Sequence, residues 1–336
     1  MTIPLSALRR CSLAVLLLSV ALATALGACQ GPGSPPATSI VLGTTSSEVN
    51  ALILIAQELG YFASNGLNAA HRTYPSGVAA LDGLFKGEVD LATGSEFAFV
   101  NRVLAEQDIC TLGAISRSSI EYLVGRIDRG LETLDDLEGK TIGLPLGSRP
   151  EFALDRYLYL HGIDAATVTL VDVPVDRAEE ALVNGDVDAV GAWQPYVDRI
   201  RARLGPGVVT WSLQQDQPSY TLLMCKGEWA DTHKELLTRF LSALVQAESY
   251  IVHNPDAARA AIQEQLDYSP DYMASVWPDY SFALVLDQAL VVAMEDQARW
   301  IISNNLSPDR QTPDFLDYIY FDGLETVKPE AVNVIR

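Results

Sequence analysis

The chain has 336 residues, 49% hydrophobic and 20% charged, and its 43 acidic residues outnumber 23 lysines and arginines for a formal charge of −20 at pH 7. So acidic a body repels phosphate-rich partners, which argues against nucleic acid and anionic lipid surfaces as ligands. A chain of this length exceeds what one hydrophobic core usually serves, so two domains are expected.

The N-terminus reads as a leader. Arg9 and Arg10 form a positive region, and Cys11 to Leu26 is almost wholly apolar. That run of about 15 residues falls short of the roughly 20 a membrane span needs. It ends in Leu26-Gly27-Ala28-Cys29, small residues before a thiol able to take a diacylglyceryl group. The stretch resembles the bacterial lipobox. The resemblance implies a signal peptide over residues 1–28, lipidation at Cys29 and residence on the outer face of a membrane (or in a periplasm), held by the lipid anchor alone. An uncleaved anchor, or an ordinary signal with a chance cysteine, is the alternative. Residues 29–38 are rich in Gly, Pro and Ser and read as a tether. Loss of residues 1–28, with two arginines and no acid, leaves 21 basic against 43 acidic residues, a net −22.

Beyond the tether, short apolar runs alternate with helical patterns. Strands are predicted at Ser39–Gly43, Ala69–Tyr74, Val89–Thr93 and Ile109–Ser116. Helices are predicted at Asn50–Leu59, Gly77–Lys86 and from Glu96 onward. A second run of the same kind follows, with strands at Glu121–Arg126, Thr141–Leu144, Val168–Val173, Asp188–Ala192 and Val208–Ser212. Its helices are Pro150–His161, Arg177–Asn184 and Pro195–Leu204. Alternation at this spacing predicts an α/β fold with mostly parallel sheets. One more strand, Tyr220–Cys225, precedes helices at Ala230–His253, Pro255–Gln265, Pro270–Val276 and Phe282–Asn304.

An internal echo links the two runs. Leu84-Phe85-Lys86-Gly87-Glu88-Val89-Asp90 recurs as Leu182-Val183-Asn184-Gly185-Asp186-Val187-Asp188. In each, a glycine ends a helix, an acidic turn follows and the chain enters a strand. Two lobes with polar loops after their strands imply a cleft between them.

These residues look like the nitrate/sulfonate/taurine type of ABC substrate-binding protein, which includes a thiamine-pyrimidine-precursor-binding branch. The resemblance rests on Ala56-Gln57-Glu58-Leu59-Gly60-Tyr61-Phe62 with Gly66-Leu67, on Gly87-Glu88-Val89-Asp90 and on Leu134-Asp135-Asp136-Leu137-Glu138-Gly139-Lys140-Thr141-Ile142-Gly143. Gly147-Ser148 and Gly185-Asp186-Val187-Asp188-Ala189 with Trp193-Gln194-Pro195 complete it. It implies a type II periplasmic-binding-protein fold, two α/β lobes joined by two hinge strands. Lobe I would comprise residues 39–118 and 221–336, and lobe II residues 119–220. It implies a monomeric receptor that delivers a small organic molecule to an ABC permease and ATPase, with no cofactor. On that topology Ile109–Ser116 lies beside Tyr220–Cys225, and Cys110 comes near Cys225. Whether these two pair or stay separate buried thiols is left open.

Helix N-termini offer unpaired N–H groups to a ligand. Four are expected at the cleft: Thr45-Ser46-Ser47 with Glu48 in a capping-box pattern, Ser76 before Gly77, Gly94-Ser95-Glu96, and Gly147-Ser148-Arg149 with Glu151 in a second such pattern. Each hydroxyl either caps its own helix or meets the ligand. Arg149 is a candidate anion fork, or else a solvated arginine or a partner of Glu151. Glu96 is a candidate for an amine or ring N–H, or else only favours the dipole of its helix. Trp193 and Gln194 are expected at the cleft edge, and Ser116 near the first hinge. The four histidines stand apart, no nucleophile motif or cysteine–histidine metal spacing occurs, and so neither an enzyme nor a metal protein is expected. An organic anion such as a sulfonate is the favoured ligand, with a flat heterocycle such as a thiamine pyrimidine or flavin as the alternative. An extracellular enzyme and a sensor of protein partners are rival roles on the same fold.

Overall fold

Two large sheets and one two-stranded pair carry the chain in the computed structural model, which describes residues 37–214, 217–308 and 311–336. The leader, the lipobox cysteine and the tether up to residue 36 lie outside the described residues. Thr38–Arg336 form one unit holding both sheets.

The first sheet grows from β1 (Thr38–Thr44), which runs parallel to β2 (Leu67–Thr73) on one side and β3 (Leu91–Ser95) on the other. Between β1 and β2 lies helix α1 (Ala51–Glu58). It buries Leu52, Ile53 and Ile55 and stops before Gly60, which takes the left-handed φ of +69° that a residue with a Cβ resists. Helices α2 (Gly77–Phe85) and α3 (Glu96–Leu104) flank β3. The chain leaves along β4 (Cys110–Ser118) and returns as β10 (Ser219–Cys225). Strand β10 inserts between β3 and β4, antiparallel to both.

The second sheet lies between those two passages. Its strands are β5 (Glu121–Arg126), β6 (Thr141–Leu144), β7 (Thr169–Asp172), β8 (Ala189–Trp193) and β9 (Val208–Ser212), in the order β7-β6-β8-β5-β9. Helix α4 (Arg149–Leu160) covers one face, with Leu154 and Leu158 in a core with Leu123 and Ile142. Helices α5 (Ala178–Asn184) and α6 (Tyr196–Leu204) cover the other, where Leu182, Val197 and Ile200 pack with Val124 and Val190.

The sequence echo is a structural repeat. Gly87 and Gly185 take left-handed φ angles of +72° and +79°. Three residues on, each aspartate clasps an earlier strand of its own α/β run. Asp90 accepts from Val41 N at 2.8 Å, and Asp188 accepts from Thr141 N at 2.9 Å. The aspartate N–H groups donate back to the carbonyls of Val41 and Thr141, both at 2.9 Å.

Several elements depart from expectation. The helix predicted over Ala230–His253 is broken at His233 into Gly227–Thr232 and α7 (Lys234–His253). Thr232 Oγ1 and His233 Nδ1 both bond to Trp229 O, and such local bonds compete with the helical ladder. Helices α8 (Pro255–Leu266) and α9 (Pro270–Val276) form as read. The helix predicted from Phe282 starts instead at Gln288 (α10, Gln288–Ser303), because Asp287 accepts from Leu290 N at 2.9 Å and fixes the N-cap there. The two-residue strand β11 (Tyr280–Ser281), unread in the sequence, pairs with Ser118 and Arg117 of β4. Neither predicted capping box forms. Ser47 Oγ donates to Glu48 at 3.0 Å, while Glu48 faces two tyrosines. Ser148 Oγ turns to Pro145 O, and Glu151 accepts from Gly147 N, one residue outside the box position.

Candidate functional site

The loops after β1, β3, β6 and β8 hold the candidate residues, and the paired strands β4 and β10 tie several of them together. Ser116 of β4 and Ser95 at the end of β3 both register with Thr221 of β10, and Gly94 registers with Leu222. Gly77 lies against Gly94: a Cβ on Gly77 would stand 2.7 Å from Gly94 Cα. The glycines let the start of α2 and the end of β3 touch.

Ser76 and Ser95 are N-caps, accepting from Ala79 N and Ala98 N at 3.2 Å each. Thr45 accepts from Asn50 Nδ2 through its carbonyl at 2.9 Å and its hydroxyl at 3.2 Å, while Ser46 is exposed. Ser116 is buried, and its Oγ finds no partner among the described residues. Gly147 takes a φ of +65°. Trp193 is half-buried and meets Tyr196 edge-on, 5.8 Å between centroids. Gln194 is buried and accepts from Asp198 N, which caps α6.

Arg149 and Glu96 meet. Arg149 Nε donates to Glu96 Oε1 at 2.8 Å, and its Nη1 pairs with Glu121 Oε2. Gln297 of α10 adds a bond to Glu96 Oε1 at 2.9 Å, and Tyr220 N donates to Glu96 Oε2 at 3.0 Å. All three charged side chains are at most 8% exposed, so this knot is dry. It joins α3 of the first sheet to α4 and β5 of the second. Arg149 therefore stands as an ion-pair partner rather than as the free anion fork or the Glu151 partner read from the sequence. The reason is two carboxylates from elsewhere in the chain, one of them Glu121, the first residue of a predicted strand. A charged residue opening an otherwise buried strand was the available signal.

Burial pushes the Glu121 carboxyl above its usual 4.5, and Glu96 adds to this while Arg149 opposes it. Burial alone lowers the Arg149 pKa, but Glu121 and Glu96 outweigh it and hold the guanidinium charged. Further contacts bridge the two sheets. Tyr122 Oη donates to Asp279 Oδ2 at 3.2 Å, and burial with that carboxylate pushes the phenol up to about 12. Trp300 Nε1 donates to Asp155 at 2.8 Å, and Arg156 pairs with Asp296 at 3.3 Å.

The tyrosines around Glu48 also escaped sequence reasoning. Glu48 Oε1 accepts from Tyr272 Oη at 2.8 Å and Tyr280 Oη at 2.9 Å. Tyr272 in α9 and Tyr268 just before it, four residues apart, were the local hint. Cys110 and Cys225 are register partners on β4 and β10, with their sulfurs 3.6 Å apart as free thiols. Among the described residues no helix is long and apolar enough to cross a membrane.

A family model described as NMT1/THI5 like matches residues 48–258. A Haemophilus influenzae protein named for thiamine biosynthesis is 26% identical over 240 residues, 69% of this chain and 74% of its own length. The taurine-binding periplasmic protein of Escherichia coli is 26% identical over 209 residues, 60% of this chain and 63% of its own length, so the chain spans less than two thirds of that relative. Among solved structures, the periplasmic aliphatic sulphonate-binding protein SsuA of Escherichia coli superposes with a TM-score of 0.71 at 18% identity, over 85% of this chain and 98% of that one. The desulfurization enzyme DSZB superposes with a TM-score of 0.66 at 16% identity, over 87% of this chain and 99% of that one. These likenesses show a periplasmic-binding-protein fold of two α/β lobes, shared by binding proteins and at least one enzyme.

Proposed function

This chain belongs to the NMT1/THI5-like family, and on that premise we propose that it is an extracytoplasmic receptor that closes two lobes on a small organic solute and presents it to an ABC importer. One observation carries the reading: Arg149 and Glu96, from opposite lobes, meet where the strand-end loops converge. The chain crosses from β4 to β5 at 119–120 and returns from β9 to β10, and these two crossings are the hinges of the reading. Residues 39–118 with 221–336, and 119–220, are the natural lobes about them. A solute held between the loops stabilises the closed pair of lobes, and the closed form is what a permease distinguishes from the open one.

The names of the relatives favour a sulfonate-type organic anion. A specific observation favours the second reading, an amino-substituted flat ring: Arg149, the guanidinium that follows the β6 loop, is already paired with two carboxylates. The half-buried Trp193 and Tyr196 offer aromatic surface to such a ring. Binding rather than catalysis is supported by the placement of the cysteines, buried together in the β4–β10 ladder away from the loops. The lipobox residues Leu26-Gly27-Ala28-Cys29 support a lipid anchor holding the receptor, as a monomer, at the outer membrane face.

Thermal-shift and small-angle scattering titrations with small organic anions and nitrogen heterocycles test the reading. Saturable stabilisation with compaction, and the solute recovered unchanged, is the expected result. Chemical turnover of the solute overturns it.

A further inference from the structure

One helix belongs to both lobes. Helix α4 packs Ala153, Leu154, Tyr157 and Leu158 into the core of the second lobe. Phe152 goes the other way: it is 4% exposed and joins the core of the first lobe. Its ring meets Trp300 of α10 edge-on at 5.7 Å and Phe97 of α3 at 6.2 Å, and those two rings stand 6.0 Å apart. The polar contacts of α4 fall on the same face. Arg149, Phe152, Asp155 and Arg156 recur at helical spacing and form one stripe. Each of them meets α3 or α10, Arg149 at Glu96, Asp155 at Trp300 and Arg156 at Asp296.

This seat lies on both crossings. Glu121, paired with Arg149, is the first residue after the outward crossing. Gln214, just past β9, accepts from Glu121 N at 2.8 Å and donates to Ser118 O at 3.1 Å. Ser219, which opens β10, donates to Glu121 Oε1 at 3.4 Å. Atoms nearest an axis of rotation move least, so contacts at the crossings survive a swing that parts the loops farther out. Lifting α4 from its seat instead exposes Phe152 to water and breaks a buried ion pair, and both are unfavourable.

The opposite side of the second lobe is tied differently. Helix α6 lies across the sheet from α4. Its polar groups bond within their own lobe: Asp198 N to Gln194, Arg201 to Thr210 and Arg203 to Glu179. Tyr196, Arg199 and Asp198 act on Tyr268 and Tyr272 of the first lobe through charge alone.

We propose that α4 is a third, non-covalent hinge: Phe152 and Arg149 keep it seated on α3 and α10 while the receptor opens, so opening is confined to the side of α6 and α9. The inference rests on the receptor reading and adds the direction of its movement.

Spin-label distance measurements on the solute-free whole chain test it. One pair of labels spans the seat, on Tyr159→Cys of α4 and Arg299→Cys of α10. The other spans the far side, on Arg203→Cys of α6 and Asp271→Cys of α9. All four positions are exposed, whereas the native Cys110 and Cys225 are buried and stay unlabelled. The α4–α10 distances are expected to form one narrow peak, and the α6–α9 distribution to be roughly twofold wider or more, as for lobes in exchange. Phe152→Ala is expected to widen the α4–α10 distribution until the two match. Equal widths in the wild type, a wider α4–α10 distribution, or one that Phe152→Ala leaves narrow overturns the third hinge. If that variant fails to fold, the two wild-type pairs decide by themselves. The receptor reading stands or falls separately, on compaction by a solute, which lobes moving evenly on both sides also show.

Discussion

Arg149 Nε reaches Glu96 Oε1 at 2.8 Å although 53 residues separate the two, and the same guanidinium pairs with Glu121. One cation is thus buried with two carboxylates, and the helices that carry the pair belong to different sheets.

Removal of that cation leaves two buried carboxylates facing each other. Arg149→Met is expected to cost about 3–5 kcal/mol of stability at neutral pH. Urea unfolding followed by circular dichroism measures it. Arg149→Lys is expected to recover only part of the loss, since an ammonium cannot offer two carboxylates the planar fork of a guanidinium.

The same knot sets a pH dependence. The folded-state pKa of Glu121 lies above its ordinary 4.5, chiefly through burial. The folded chain therefore keeps a proton that the unfolded chain gives up. The stability this proton contributes is fully present below pH 4.5 and is lost as the pH rises through the folded-state value. Glu121→Gln removes the titration. Melting temperatures from pH 4 to 8 are expected to fall less steeply for this variant than for the wild type, with the variant gaining most at the upper end.

The cysteine pair is expected to be inert in the native state. The Cys225 thiol is pushed strongly upward by its hydrogen bond to Cys110 and by burial, and the thiolate is the reactive form. Iodoacetamide is expected to label neither cysteine in the folded, reduced chain and both in urea, by mass spectrometry. Refolding with a glutathione redox couple is expected to link them, because they stand opposite each other on neighbouring strands.

Trp193 is half-buried at the end of β8 and packs against Tyr196. Trp193→Ala is expected to weaken solute binding by about 1–3 kcal/mol, with little change in melting temperature. Titration of any solute found to compact the wild type measures it.

Gly77→Ala tests the contact between two loops. The new methyl would stand 2.7 Å from Gly94 Cα, a backbone atom that cannot rotate aside. A loss of about 1–3 kcal/mol in urea unfolding is expected, as for other overpacked sites.

The sheets were legible in the sequence because each βα unit writes its own signal: an apolar run, a helical period, a glycine stop. Gly87 with Asp90 and Gly185 with Asp188 went further, since the echo marked the residues that clasp β1 and β6. The site was less legible, because its chemistry comes from pairing across the chain. Thr45-x-x-Glu48 reads as a helix cap, and nothing local says that Tyr272 and Tyr280 draw the carboxylate elsewhere. Arg149 reads as a free fork until Glu96 and Glu121 arrive from other elements. A two-residue strand such as Tyr280–Ser281 carries no period at all.

The place of β10 between β3 and β4 has a consequence for the order of assembly. A polypeptide emerges from its N-terminus, so β3 and β4 are made early yet cannot join the same sheet until the strand that separates them has been synthesised. The five strands of the second sheet come out in between. The earlier-made portion waits with an unfilled gap for the span of a whole inserted lobe, and pairings so distant in sequence form slowly. That delay leaves the edges of β3 and β4 unpaired with each other's sheet until the last strand of the crossing arrives.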